Sequence, residues 1–398
     1  MKSDALRKRR RYLATLLLVG FCAFLTLNMT QPLLPMLREM FHVSAGAASL
    51  TVGASVLAVA IMAPLAGMLS DALGRKKVIV WSLCGAAIFT VLGAAAPNLH
   101  LLVLFRFLQG MFIPGIVTST MAYITEESSG GSVSSAMATY VTGTVIGGFA
   151  GRFVAGLVAA HLGWHTPFVV LGALTLLGML AVQRWLPREK AFVRQGDPAE
   201  AVRNLRMHLG NTQLLVIYAV GFHVLFSLMG VFTYISFYLA EAPFHLSTAA
   251  LGSLFFVYLI GAVITPVSGK LIDAIGNRRT LSMALILSAA GVLTTLSGHL
   301  WVVVLGLAGC CSGVFVCQAA SSGQIGKAAQ TARSSAAGLY VSLYYMGGCA
   351  GSTLLGFFWE WRGWPACVAV IVVLEILMSA MAWFLWKDYP ASATSHTK

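Results

Sequence analysis

Residues 67–77 read Gly67-Met68-Leu69-Ser70-Asp71-Ala72-Leu73-Gly74-Arg75-Lys76-Lys77, a charged turn between two long apolar runs. The stretch returns 202 residues later as Gly269-Lys270-Leu271-Ile272-Asp273-Ala274-Ile275-Gly276-Asn277-Arg278-Arg279. Pro64 and Pro266 precede the two copies at the same distance, and from each proline to the last basic residue six of fourteen positions are identical. Proline, glycine and aspartate held in register, with a terminal basic pair, point to an internal duplication. A second pair of segments agrees. Between 134–164 and 334–364 twelve of thirty-one positions match, among them Ser134-Ser135-Ala136 with Ser334-Ser335-Ala336 and Gly163-Trp164 with Gly363-Trp364.

Composition sets what is duplicated. Hydrophobic residues make up 58% of the 398-residue chain and charged residues only 10%, with a mean hydropathy of +0.83. Soluble domains carry about 25% charged residues. About 20 apolar residues span a bilayer as a helix, and the chain divides into twelve continuous runs of that size. Their continuity, without alternation, excludes a β-barrel. The net charge of +13 suggests nucleic acid until position is considered. Of the 26 Lys and Arg, 22 fall in segments on one expected side of the membrane: 1–11, 69–77, 184–211, 270–279, 323–333 and 387–398. That is the positive-inside pattern, with both termini cytoplasmic, and it calls for no nucleic-acid partner. The seven cysteines all fall in apolar runs without metal-site spacing, and read as small core residues. The N-terminal run from Tyr12 to Leu37 is too long for a signal-peptide core and ends in no small-x-small site.

The expected spans are 12–36, 46–68, 78–96, 100–122, 134–160 and 165–186, then 212–240, 248–269, 280–298, 300–322, 334–359 and 364–386. Glu126 and Glu127 are placed in a loop. The expected organisation is an amino-terminal six-helix bundle over 1–186, a cytoplasmic linker over 187–211, a carboxy-terminal bundle over 212–386 and a cytoplasmic tail over 387–398. This is an all-α membrane protein: twelve transmembrane helices in two pseudo-symmetric six-helix bundles. Two related halves are a transporter plan, with substrate bound between them near the bilayer midplane.

These residues resemble the major facilitator superfamily over essentially the whole chain. Gly67, Leu69, Ser70, Asp71, Gly74, Arg75 and Lys76 match its pattern Gly-x-Leu-small-Asp-basic-x-Gly-basic-basic, while Ala72 replaces the first basic residue. The second copy departs at Asn277, where Arg75 would stand. Arg106-Phe107-Leu108-Gln109-Gly110 is similar to the family's Arg-x-x-Gln-Gly. Gly143-x-x-x-Gly147-Gly148-x-x-Gly151-Arg152 is similar to the helix-5 motif of its drug antiporters, with Gly148 for proline and Arg152 for the last glycine. With Phe232-Thr233-Tyr234-Ile235, that form looks more like the bacterial acriflavine-sensitivity branch of efflux proteins.

The resemblance implies that Asp71 faces the start of the eleventh span near Ser334 and Ser335, and Asp273 the start of the fifth near Ser134 and Ser135. A carboxylate there answers free N–H groups and the positive end of the helix dipole. Gly67, Asp71, Gly74, Arg75, Asp273 and Arg278 are therefore gating candidates, the alternative being capped loops with topology charges. Ionisable groups within spans are functional candidates. Arg106 holds a carboxylate, a substrate anion or backbone carbonyls. Arg152, Glu375 and His223 are candidates for proton coupling, each with a structural alternative. Asn28, Gln31, Arg106, Thr118, Tyr234, Gln318, Tyr340 and Tyr344 are the candidate substrate contacts, the rival being interhelical packing. Amides and aromatics with few charges suit amphipathic or lipophilic solutes.

No phosphate-binding Gly-x-x-x-x-Gly-Lys-Ser/Thr, no His-Glu-x-x-His and no Gly-x-Ser-x-Gly occurs, so neither an enzyme nor a cofactor or metal site is expected. The reading is a monomeric secondary transporter of a bacterial inner membrane, exporting a small organic compound or drug in exchange for protons by alternating access. The alternatives are an importer or uniporter, and a membrane sensor that binds without moving its ligand.

Overall fold

The computed structural model describes residues 2–128, 132–189, 207–329 and 331–386. Most of the expected linker and the whole expected tail, residues 190–206 and 387–398, lie outside them. Helices account for the fold. The first half comprises α1 (Lys2–Leu25), a 3-10 turn (Gln31–Leu33), α2 (Leu34–Phe41), α3 (Ala45–Leu73), α4 (Arg75–Gly93), α5 (Leu99–Glu127), α6 (Ser132–Leu162) and α7 (His165–Trp185). The second comprises α8 (Thr212–Ala240), α9 (Thr248–Ser253), a 3-10 segment (Leu254–Leu259), α10 (Ile260–Ile275), α11 (Asn277–Thr294), α12 (Leu300–Ala328), α13 (Arg333–Arg362) and α14 (Trp364–Leu385). With α2 a side helix and α9–α10 one broken rod, these are twelve spans in two bundles of six. Among the described residues nine are long and apolar enough to cross a membrane on length and composition alone. The charged starts of α1 and α11, and the small polar residues of α13, keep those three off that count.

The duplication is written into the backbone. Among the described residues the glycines at positive φ are Gly74 (98°), Gly276 (86°), Gly163 (78°) and Gly363 (65°). They are two pairs, at the two spacings of the repeat. Each lies between consecutive helices, where the chain turns through a conformation that a Cβ disfavours. A third pair is only four residues long. Phe41-His42-Val43-Ser44 returns as Phe244-His245-Leu246-Ser247. His42 and His245 take positive φ of 51° and 49°, and Ser44 and Ser247 accept from the amides of Ala47 and Ala250 to cap α3 and α9.

Close glycine packing fixes each half in the same way. A Cβ on Gly147 or Gly151 would strike the carbonyls of Phe21 and Leu25, and one on Gly347 or Gly351 those of Phe222 and Phe226. So α6 lies backbone to backbone on α1, and α13 on α8, as small residues at equivalent positions allow.

Most expected boundaries shift by a few residues, and three expectations change in kind. The first span starts at Lys2 and stops at Leu25, not 12–36, because Pro32 and Pro35 cannot continue the hydrogen-bond ladder. The span expected over 248–269 breaks into three, with a 3-10 middle. The expected loop at Glu126 and Glu127 is the last turn of α5.

Candidate functional site

The face that carries the Asp71–Lys77 turn and the first residue of α1 is called here the basic face. Along α3, Gly46, Gly53 and Gly67 recur at multiples of seven residues and so share a side of the helix. Gly46 touches Gly356 of α13, and Gly53 has Ser352 and Thr353 against it, but none of the described residues lies within 4 Å of a Cβ built on Gly67. On α13, Gly338 stands five helical turns from Gly356, on the same side, and is likewise open. The two helices touch at the far face and diverge toward the basic face.

Polar contacts seal the far face. Arg38 pairs with Glu241 at 2.7 Å, two positions 203 residues apart and thus equivalent in the repeat. Glu360, in the last turns of α13, accepts the amide of Ala45 at 3.0 Å and so caps α3 from the other half. Tyr234 donates to Ser352 O at 2.9 Å and bonds Ser49 Oγ at 3.2 Å, tying α8 to both. Gly156 of α6 packs on Thr248 and Gly252 of α9.

Above this seal lies a cavity of about 360 Å³ between the halves. Its walls come from α1, α3, α6, α8, the broken α9–α10 rod, α12 and α13, and are largely aromatic and aliphatic: Phe24, Phe149, Phe315, Tyr258, Tyr344 and Tyr345 among them. Arg152 is the one charged residue in the lining. It is 3% exposed. Nε donates to Gln31 Oε1 at 2.7 Å and Nη1 to Gly148 O at 2.7 Å. The guanidinium lies 4.9 Å from the ring of Phe255 and 4.7 Å from that of Tyr258, across the halves. The 3-10 segment of the eighth span presents both rings.

Of the sequence candidates, Asn28, Gln318 and Tyr344 line this cavity with Arg152. Gln31 lies just behind, held by Arg152 and by Thr233 Oγ1 at 3.4 Å. Four others are likewise absent from the lining. Tyr234 belongs to the seal. Thr118 donates to Pro114 O within its own helix at 2.8 Å. Tyr340 is buried against Ser321 at 2.9 Å, with its ring stacked on Tyr344. Arg106 is taken up entirely elsewhere. Its five N–H groups reach Thr51 O, Thr26 O, Gln109 Oε1, Leu27 O and Ser55 Oγ. Breaking α1 at Leu25 strands the carbonyls of Thr26 and Leu27, and Arg106 answers them. The sequence left it open whether Arg106 held an anion or backbone; the geometry is backbone.

Among the described residues, Asp71 makes no hydrogen bond to α13 in this conformation. It accepts from Arg75, four residues on, and Arg75 reaches across to Glu126 of α5 with two bonds, 3.1 Å from Nε and 2.6 Å from Nη2. Asp71, Arg75 and Glu126 thus form one chain of charge within the first half. In the second copy Asp273 is exposed, and Asn277 donates to Ala320 O at 3.2 Å. Arg278 lies 5.0 Å over the ring of Trp383.

Glu375, 1% exposed, sits away from the cavity among α8, α11 and α14, accepting from Ser227 at 2.8 Å and Ser288 at 2.6 Å. His223 is buried one turn before Ser227, and its Nε2 has no partner among the described residues.

A two-half helical frame around a central cavity has solved counterparts. A bacterial homologue of the human lysosomal transporter Spinster, in an inward-facing, unoccupied conformation, superposes with a TM-score of 0.79 at 16% identity, covering 94% of this chain and 96% of that one. The nucleoside transporter NupG gives 0.81 at 13%, covering 94% and 100%. The model of the Major Facilitator Superfamily matches residues 16–243 and 239–398. The chain belongs to the major facilitator superfamily. Within it, an uncharacterized transporter of Buchnera aphidicola subsp. Schizaphis graminum is 33% identical over 383 residues, 95% of this chain and 93% of that one. The inner membrane transport protein YnfM of Escherichia coli K12 is 30% identical over 363 residues, 90% and 87%. The chain is accordingly a multi-pass membrane transporter and not an enzyme.

Reading the superfamily's motifs did not reveal Glu126 or Glu360. Glu126, expected in a loop, meets Arg75 across 51 residues of chain. Glu360 follows the logic expected of Asp71, a carboxylate on a helix start across the halves, at the opposite face. No local signal in the sequence pairs it with Ala45.

Proposed function

We propose that this superfamily member is a secondary active transporter working by alternating access. The basic face and both termini lie in the cytoplasm of a bacterial inner membrane. The halves run over 1–186 and 212–386, and the solute exported is a small organic compound or drug. The observation that carries the reading is the cavity between the halves, with α3 and α13 in contact at one face and apart at the other. A site reachable from one side only is what alternation requires. Positive charge concentrated at the open face supports its being cytoplasmic, so this conformation loads from the cell interior.

Closing the cytoplasmic face brings the ends of α3 and α13 together. Asp71 then has to choose between Arg75 and the start of α13, so the Asp71–Arg75–Glu126 chain, with Gly67 and Gly74, is the proposed gate. Asp273 and Arg278 form its weaker counterpart. Glu375 is the proposed proton-coupling group, being a buried carboxylate whose Oε2 lacks a partner among the described residues. His223 is a second candidate.

Purified protein in sealed vesicles with an imposed pH gradient tests this. Expected is gradient-driven movement of solute, lost in Asp71→Asn and uncoupled from the gradient in Glu375→Gln. Solute that equilibrates identically with and without the gradient would rule out proton exchange. Saturable binding without flux would make the protein a sensor.

A further inference from the structure

Arg152 remains unexplained by packing alone. Its burial matches that of Arg106, but its bonding does not. Arg106 spends all five N–H groups on acceptors, whereas Arg152 has bonds from Nε and one from Nη1. Nη2 has no hydrogen-bond partner among the described residues, and none of their ion pairs includes Arg152. A guanidinium carries five donors and is always charged. Burying it without a carboxylate is costly unless something else supplies negative charge. Here the supply is partial: one amide oxygen, one carbonyl and two ring faces. The residue lines the cavity, where none of the described lining residues is an acid. In the same wall Asn28 is 7% exposed, and its Oδ1 has no partner among the described residues; a flipped carboxamide would present Nδ2 as a donor there.

We propose that the solute is an organic anion, a carboxylate or sulfonate on a flat apolar body, and that Arg152 binds its anionic group. This rests on the transporter reading and deepens it. The remaining walls fit the rest of such a molecule, with Phe24, Phe149, Phe315 and Tyr344 offering ring faces. The cavity volume of about 360 Å³ falls at the low end of small-molecule sites, roughly 300–1,000 Å³. Arg152 also touches both halves, bonding Gln31 in the first and covering Phe255 and Tyr258 in the second. An anion drawing the guanidinium away from those rings would loosen a contact between the halves, so binding and closure are joined at one side chain.

The test uses full-length protein in lipid nanodiscs, with 1-naphthoate, 1-naphthalenesulfonate, 2-naphthol and 1-naphthylmethylammonium as probes. These share a ring system and differ in charge. Binding is followed by quenching of intrinsic tryptophan fluorescence and by calorimetry. Expected is saturable binding of the two anions at least tenfold tighter than of the alcohol or ammonium. It falls at least tenfold in Arg152→Gln and is partly kept in Arg152→Lys. Gln31→Glu places a carboxylate against the guanidinium while leaving its packing in place, and should also abolish the anion preference. That variant keeps the test alive should Arg152→Gln fail to fold. No binding of either anion to wild type, equal affinity for the ammonium probe, or anion binding unchanged in Gln31→Glu would overturn the proposal. Flux in vesicles separates the two readings. Anion binding lost with Arg152 but no flux refutes the transporter, whereas flux of cations insensitive to Arg152 refutes the anion and leaves the transporter standing.

Discussion

Two buried arginines separate structural from functional charge by counting donors. In Arg106 five N–H groups meet five acceptors, two of them carbonyls freed where α1 breaks. Arg106→Ala should therefore cost stability by about 3 kcal/mol, since buried acceptors left bare cost roughly 1–3 kcal/mol each. A fall in the thermal unfolding midpoint of the detergent-solubilised protein would show it. Arg106→Lys should recover little, because an ammonium cannot fork. The proposed gate behaves differently. Asp71 and Glu126 are about one-third exposed, so Glu126→Gln should change stability by about 1 kcal/mol or less. Its effect should appear instead as altered transport, because Arg75 then loses the carboxylate that ties it to α5. Stability loss as large as that of Arg106→Ala would make the Arg75 cluster a structural one.

Among the elements, repeated glycines set how close helices lie, and the same residue type does opposite things at different points of the frame. A Cβ on Gly151 meets the backbone of Leu25, which cannot yield. Gly151→Val should cost about 3 kcal/mol, the upper end for overpacking, and Gly351→Val the same in the other half against Phe226. Gly67→Val meets open space and should leave stability within about 0.5 kcal/mol. It should nevertheless slow transport, because α3 and α13 must meet at that point when the basic face closes. Parallel unfolding and flux measurements on the three variants test this; unchanged flux in Gly67→Val would mean that Gly67 never becomes a contact.

For the whole molecule, the conformation is a statement about which face water can enter. Ser49, buried in the seal beside Tyr234, and Gly67 lie on the same helix at opposite ends. In a background without the natural cysteines, Gly67→Cys and Gly338→Cys should react with a water-soluble maleimide at least tenfold faster than Ser49→Cys. Glu360→Gln weakens the cap on α3 and should raise the rate at Ser49→Cys by favouring opening of the far face. Equal rates at all three positions would mean that the seal is not maintained in solution.

The sequence alone determined the class of molecule, because bilayer thickness imposes span length and water imposes where charge goes. It also determined the two-half plan, since positive-φ glycines at Gly74 and Gly276 and close-packing glycines at Gly147 and Gly347 are local requirements that survive as identities. The part of the site that was legible followed from rarity: an arginine or amide in an apolar run stands out, and Asn28, Arg152, Gln318 and Tyr344 do meet in one cavity. What those residues do was decided by tertiary structure. Arg106 and Arg152 look alike in sequence, and only the break in α1 and the aromatic 3-10 segment distinguish a saturated guanidinium from one with donors to spare. The Glu360–Ala45 and Arg75–Glu126 contacts join residues far apart in the chain, and the direction in which the cavity opens depends on which of two sets of helix ends has met. Burial, donor count and contact between the halves are properties of assembled surfaces, and a linear pattern does not carry them.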